Sequence, residues 1–325
     1  MQALAEAIGD VCDTVDPAAK GSHHADLDQR ANRSYWLEQA VDRRIDYMHS
    51  GFGCSTYSAP LSLPSQDATG ATVPPMGPYR SQEWPDGLAT LPAVIKRRCE
   101  SADHHRTLTL YMGRALTAHN RPVIIENAAD CSLPSSPGYM ELGGYSTATQ
   151  FSAWAHPDTR AYITDTGSVL VTKPLYWTGS PYRNLKTFCL NPAAYRHAAE
   201  LLALPDDWPR AGLTRMRGWA ADGRSHGQIA QEYTPECSGI LHRILTAAAR
   251  EALHGPLQAP PPPLPPSSGA GGSSRPPQPP PPPPPPPSPS AAAPQLPPAL
   301  PAGQHRAAKH SDRRVGTAPS DLKVC

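Results

Sequence analysis

The chain has 325 residues, 42 of them proline, and a formal net charge of +1. Much of the proline lies in one block that starts near residue 256, so about 250 residues precede it, enough for one α/β domain with a small addition. The near-neutral total excludes no partner class, because a basic cleft can exist within a neutral chain. No apolar run approaches the roughly 18 residues of a membrane span.

The seven cysteines are scattered, and no pair has the Cys-x-x-Cys spacing that is typical of a zinc site. An odd number of cysteines, with no signal peptide before them, predicts reduced thiols and an intracellular protein. The nucleus is among the compartments that fit this prediction.

The first half of the chain alternates between short helices and apolar strands, which predicts an α/β fold with a parallel, doubly wound sheet. A segment rich in Pro, Gly and Ser at 59–92 is predicted to be a mobile lid, with disorder as the alternative. The predicted elements are a helix at 2–8, a strand at 11–15, a helix at 35–41, a strand at 45–48, a long helix at 94–119 and a strand at 121–125.

The second half predicts fewer regular elements before the composition changes. We expect a hairpin or two short strands at 162–171, a strand at 188–190 and helices at 195–204 and 235–253. Residues 1–255 thus form the predicted globular domain. Composition predicts that residues 256–303 are a polyproline low-complexity segment and that residues 304–325 are a disordered basic tail.

Two side chains that could carry chemistry each follow a predicted strand. Cys54 stands on a turn in the run RIDYMHSGFGCSTYS, and Glu126 ends the run PVIIEN. If the two strands are parallel, both side chains lie at the same edge of the sheet, where α/β enzymes bind their ligands. The alternatives are that Cys54 is a small core residue and that Glu126 caps a loop or helix.

This pair resembles the catalytic half of the cytosine-5 DNA methyltransferases. In that family a cysteine thiolate adds to C6 of a flipped cytosine while a carboxyl group assists at N3. The resemblance implies that Cys54 is the nucleophile and Glu126 the acid. The family's Pro-Pro-Cys is Phe52-Gly53-Cys54 here, so the prolines that stiffen the turn are missing. Its Glu-Asn-Val signature is Glu126-Asn127-Ala128.

The resemblance also implies substrate-binding residues. Ser55 continues the nucleophile turn, and Asn127 follows the catalytic acid. The run GSPYRNLK resembles the family's Gly-x-Pro-Gln-x-Arg-x-Arg segment, which implies that Arg183 and Lys186 hold the flipped nucleotide. A basic surface turn is the alternative for this run. A short recognition region is expected at 190–232, and Tyr233 opens a last helix that would close the cofactor pocket.

The cofactor implied by the resemblance is S-adenosylmethionine. Asp16 and Asp26 match the acidic residues that bind its ribose and adenine, although both also suit ordinary turns. No Gly-rich turn precedes them. We therefore expect a Rossmann-like, S-adenosylmethionine-dependent methyltransferase fold that is truncated at its N-terminus and followed by a disordered proline-rich tail.

Three functions remain open at this point. The first is a DNA cytosine-5 methyltransferase that binds DNA. The second is a catalytically inactive protein of the same fold that binds nucleic acid. The third is an interaction protein whose proline tail binds SH3, WW or profilin-type partners.

Overall fold

A mixed β-sheet lies at the centre of the computed structural model, which describes residues 13–15, 26–53, 56–57, 65–66, 71–73, 77–130, 151–182, 184–207, 233–255 and 322–324. The strand order is β1-β8-β2-β5-β7-β6, and β3 and β4 form a separate pair. The strands are β1 (Asp13–Val15), β2 (Met48–Gly51), β3 (Ser65–Gln66), β4 (Thr72–Val73), β5 (Val123–Ala128), β6 (Val169–Pro174), β7 (Leu185–Leu190) and β8 (Leu322–Val324).

Six helices are described around the sheet, with two 3-10 turns, and they cover both of its faces. They are α1 (Arg30–Val41), α2 (Ala93–Ala118), α3 (Pro157–Thr166), α4 (Pro192–Tyr195), α5 (Ala199–Ala203) and α6 (Pro235–His254), with 3-10 turns at Ala153–Ala155 and Leu175–Thr178. None of these helices is long and apolar enough to cross a membrane. The chain is thus an α/β protein with helical layers on both sides of its sheet.

The two sides of the sheet have separate hydrophobic cores. Ile125 packs in the core formed with α1, α2 and α3, whereas Ile124 packs in the core formed with α4, α5 and α6. Successive side chains of a strand point to opposite faces, so a strand between two cores needs a continuous apolar run. The run Val123-Ile124-Ile125 supplies it, and all three residues are buried.

The sheet is less parallel than the sequence predicted. Only β2 and β5 form a parallel pair among the described strands, while β7 is antiparallel to both β5 and β6. The connection from β6 to β7 is short, and a short connection permits only an antiparallel pair. The strand predicted at 11–15 was expected beside the Cys54 strand. Instead β8 lies between β1 and β2, antiparallel to both.

The region 162–171 is the main error of the element prediction. It contains the end of α3, a Gly167 with φ of 63°, and the start of β6. Pro157 stands in the first turn of the helix, the side chain of His156 accepts a hydrogen bond from Asp158 N, and Gly167 provides the left-handed C-terminal residue. These start and stop signals favour a helix despite the β-branched residues within it.

Other predicted boundaries shift by smaller amounts. The strand expected at 45–48 is β2 at Met48–Gly51, and the helix expected at 195–204 is the pair α4 and α5. The long helices α2 and α6 lie within one residue of their predicted bounds. The final residues of the predicted disordered tail form β8. The polyproline segment and residues 208–232 of the predicted recognition region lie outside the described residues.

One buried side chain, Asn191, links the elements that meet where β5 begins. Its Oδ1 accepts hydrogen bonds from Val123 N and Ala194 N, both at 3.0 Å. Its Nδ2 donates to Thr117 Oγ1 at 3.0 Å and to Arg121 O at 2.8 Å. A single amide therefore links α2, β5 and α4.

Candidate active site

The strand that precedes Cys54, β2, and the strand that contains Glu126, β5, are parallel neighbours, as the sequence predicted, although β5 continues to Ala128. Gly51 lies opposite Glu126 in the register of β2 and β5. A Cβ atom added to Gly51 would lie 3.0 Å from Glu126 Oε1, so the carboxyl group covers the end of β2. Glycine is the residue that permits this approach. Cys54 and Ser55 lie outside the described residues, so their distances to Glu126 stay predictions.

Glu126 forms a buried ion pair with Lys186 of β7. Lys186 Nζ lies 3.1 Å from Oε1 and 3.0 Å from Oε2, and the two residues are 4% and 8% exposed. The register places Lys186 opposite Ala128, which makes it a diagonal neighbour of Glu126 on one face. The sequence predicted both residues for the site, but it assigned Lys186 to the substrate. In the structure Lys186 binds the carboxyl group.

Three further side chains lie on the same face of the sheet. His49 of β2 and Tyr233 are in edge-on contact, with Tyr233 Oη 3.4 Å from His49 Nε2. Burial, and then the charge of Glu126, raise the pKa of the Cys237 thiol in α6 to about 12. Cys237 is therefore a protonated thiol at neutral pH and a poor nucleophile. Sequence reasoning missed His49 and Cys237. For His49 the sequence did hold a signal, because a residue two positions before Gly51 in a strand lies on the same face of the sheet.

Asn127 points to the opposite face of the sheet from Glu126. Its Nδ2 donates to Phe52 O at 2.9 Å, and its Oδ1 accepts from Ala128 N. The side chain is 1% exposed. It therefore binds the backbone that follows β2, two residues before Cys54. Its predicted contact with substrate stays a prediction.

A second polar network lies on the α2 side of the sheet. Arg106 of α2 contacts His156 Nδ1 and Asp158, and His156 Nε2 lies 3.1 Å from Asp86. Burial first, and then the Arg106 charge, lower the pKa of His156. The network joins α2, the N-terminus of α3 and the described part of the predicted lid. In that part Tyr79 and Arg80 are buried, so residues 79–80 are anchored to the domain.

The predicted cofactor residues do not assemble a site among the described residues. Asp26 is exposed, and its carboxylate accepts from Asp28 N and Gln29 Nε2 in the turn before α1. Both carboxylate oxygens of Asp26 thus accept hydrogen bonds within this turn, which is the alternative that the sequence left open for this residue. Asp16 and Arg183 lie outside the described residues. The binding of S-adenosylmethionine therefore stays a prediction.

Within the described ranges, no group of three or more His, Cys, Asp or Glu side chains could hold a metal ion. Comparisons of the chain with protein-family models, with curated proteins and with solved structures find no match.

Proposed function

We propose that the protein is cytosine-5 DNA methyltransferase-like and acts on cytosine through a covalent adduct between Cys54 and C6. The observation that supports this most directly is the parallel pair of β2 and β5, which places the Glu126 carboxyl group over Gly51, three residues before Cys54. A thiol and a carboxyl group at one sheet edge are what addition to a pyrimidine requires.

The addition step can be written with its proton accounted for. The Cys54 thiolate forms a bond to C6, the C5–C6 electron pair moves to C5, and N3 gains a proton. The proton that the Cys54 thiol loses passes through the Glu126 carboxylate to N3, so the step needs no other proton donor. Lys186 also fixes the carboxyl group in one orientation. The resulting enamine at C5 is the nucleophile that accepts a methyl group.

The methyl donor in this proposal is S-adenosylmethionine, because the resemblance implies it. The addition step is the part of the reaction that the described residues support, through Glu126 and its neighbour Gly51. That step can be measured without a methyl donor, because the C6 adduct exchanges the hydrogen at C5 with water before the thiol leaves.

The first test is release of tritium from DNA that contains 5-tritiated cytosine. Wild-type protein should release tritium, Cys54→Ser should abolish the release because a hydroxyl is a far poorer nucleophile than a thiol, and Glu126→Gln should slow it strongly. A Cys237→Ser variant is the matched control and should exchange normally. Release that survives Cys54→Ser would show that another residue attacks.

The second test adds S-adenosylmethionine and DNA with 5-fluorocytosine, which traps the methylated adduct because fluorine cannot leave C5 as a cation. Trapping would show methyl transfer by this chain. Tritium release without trapping would restrict the function to base addition. If the protein binds DNA but shows neither tritium release nor trapping, the inactive nucleic-acid-binding protein is favoured. If it shows no tritium release, no trapping and no DNA binding, the interaction protein with the proline tail remains.

A further inference from the structure

Arg80 is a fully buried arginine, and two of its hydrogen bonds go to Thr56, two residues after Cys54. Its Nε and Nη2 donate to Thr56 Oγ1 at 3.2 and 3.0 Å, and Nη2 also donates to Cys99 O at 2.9 Å. Its Nη1 donates to Pro85 O at 2.7 Å and to Asp103 Oδ1 at 2.8 Å. All five donors of the guanidinium thus have acceptors, and the side chain is 1% exposed.

Tyr57 is held by the same arrangement. The Arg80 guanidinium carbon lies 4.1 Å from the centre of the Tyr57 ring, and Tyr57 Oη donates to Asp103 Oδ1 at 2.8 Å. Asp103 therefore binds both Arg80 and Tyr57 from α2. Thr56 is consequently held by hydrogen bonds from Arg80, and Tyr57 by one cation–π contact and one hydrogen bond to Asp103.

The other end of the same short segment is fixed from β5. Asn127 Nδ2 donates to Phe52 O, so residue 52 is bound to the strand that carries Glu126. Phe52 before positions 54 and 55, and Thr56 and Tyr57 after them, are thus held by contacts with other elements. The cytosine-5 methyltransferases that the chain resembles use prolines in this segment, and this chain has Gly53 instead.

We propose that Arg80, held by Asp103, is the positioning residue that fixes Thr56 and Tyr57 and, through them, the proposed nucleophile, in place of the prolines of the family that the chain resembles. The inference rests on the proposed function, because it concerns the placement of the proposed nucleophile. Lysine cannot replace Arg80, since its single ammonium cannot reach Thr56, Pro85, Cys99 and Asp103 from one position.

The test uses the full chain and tritium release from 5-tritiated cytosine DNA. Thr56→Val removes the acceptor shared by two Arg80 nitrogens and keeps the side-chain shape, whereas Thr56→Ser keeps the hydroxyl. We expect Thr56→Val and Arg80→Lys to lower the maximal release rate roughly 10- to 100-fold at an unchanged half-saturating DNA concentration. Thr56→Ser should restore a rate close to wild type.

A second measurement separates the position of the Cys54 thiol from its reactivity. It is the rate at which iodoacetamide alkylates Cys54 at a series of pH values, followed by peptide mapping. A small reagent attacks from any direction, so a misplaced thiol should be alkylated at the wild-type rate. Lys173→Met, which removes another buried cation at the far edge of the sheet, is the control for general destabilisation and should leave the release rate of the folded protein unchanged.

Release at the wild-type rate in Thr56→Val and Arg80→Lys would overturn the proposal. A parallel fall in alkylation would also overturn it, because Arg80 would then act on thiol ionisation. If wild-type protein releases no tritium, the proposed function fails, and amide hydrogen exchange decides the inference. Faster exchange in 52–57 for Thr56→Val than for Lys173→Met would support positioning, and equal exchange would refute it.

Discussion

At the scale of single residues, the buried pair of Glu126 and Lys186 dominates the candidate site. The sequence identified both residues, one from the end of an apolar strand and one from a basic run, yet it could not predict that they bind each other. Their contact depends on the antiparallel register of β5 and β7, which join segments 60 residues apart. Register is set by packing across the sheet, and a single strand does not encode it.

Removing one partner of this pair should cost more than removing both. Lys186→Met leaves a buried carboxylate without its cation, and we expect the free energy of unfolding to fall by about 3–5 kcal/mol. The double variant Glu126→Gln with Lys186→Met should recover most of this loss. Urea unfolding of the three proteins measures the difference. Equal losses in the single and double variants would show that the unpaired carboxylate is not the cause of the loss.

His156 should make the stability of the protein depend on pH. Its Nδ1 accepts from Asp158 N and faces Arg106, and its Nε2 faces Asp86, so the folded state holds the neutral ring. Its pKa is lowered on folding. Between the unfolded value near 6.5 and that lowered pKa, the unfolded chain binds a proton that the folded chain does not. The contribution of His156 to the free energy of unfolding is therefore complete above about pH 6.5, and it is lost as the pH falls toward the lowered pKa.

Thermal unfolding at a series of pH values checks this expectation. His156→Gln should flatten the acid side of the curve, because glutamine does not titrate. His104→Gln, on the exposed face of α2, is the matched control and should keep the wild-type slope. An unchanged slope in His156→Gln would assign the acid sensitivity to other groups.

At the scale of elements, the sequence was most informative where helices carry long apolar stripes and clear ends. The pattern placed α2 and α6 within one residue of their observed bounds. It misassigned α3 because Tyr162, Ile163 and Thr164 suggested a strand, and the signals at Pro157 and Gly167 were overlooked. Those signals are local and were available in the sequence. The antiparallel pairing of β5 with β7, in contrast, joins segments about 60 residues apart, so no local pattern in the sequence predicts it.

The crossing of α2 and α3 gives a sharp prediction for a helical glycine. A Cβ atom on Gly113 would lie 2.7 Å from Tyr162 Oη and 2.9 Å from Tyr162 Cε2, and Tyr162 is fully buried. Gly113→Ala should therefore destabilise the protein by about 1–3 kcal/mol, although alanine is the better helix former.

Gly239 in α6 is the control for this substitution. Its nearest neighbour beyond the helix backbone is the far end of the Arg243 side chain, at 3.1 Å, and that side chain is exposed and can move. Gly239→Ala should stabilise the protein by up to about 1 kcal/mol. Urea unfolding of both variants should give changes of opposite sign, and a stabilising Gly113→Ala would mean that the two helices separate easily.

At the scale of the whole molecule, the sheet is built from distant parts of the chain. The strand β8 from the C-terminus separates β1 from β2. Sequence analysis assigned this part of the chain to a disordered tail, because Leu322–Val324 is too short to show a strand period. The α/β class and the parallel β2–β5 pair were predictable, since both follow from the alternation of helices and apolar strands in the first half.

Deletion of residues 317–325 should weaken one side of the sheet selectively. Without β8, the backbone groups of residues 13–15 and 48–50 lose their partners on that side. Amide hydrogen exchange should accelerate in both segments and stay slow in β5 and β7. Unchanged protection of β2 would show that β8 adds nothing to the sheet.

The four hydrogen bonds of Asn191 have a consequence for how the chain can change in length. Three of them join the residue before α4 to the end of α2 and the beginning of β5 across a sequence separation of 68 to 74 residues. The entropy of closing a loop grows only with the logarithm of its length, so lengthening a loop of this size by ten residues costs well under about 1 kcal/mol. Outside α3 and β6, the interval between β5 and β7 can therefore accept insertions while the amide keeps the two ends together, and new surface can be added there without rebuilding the sheet.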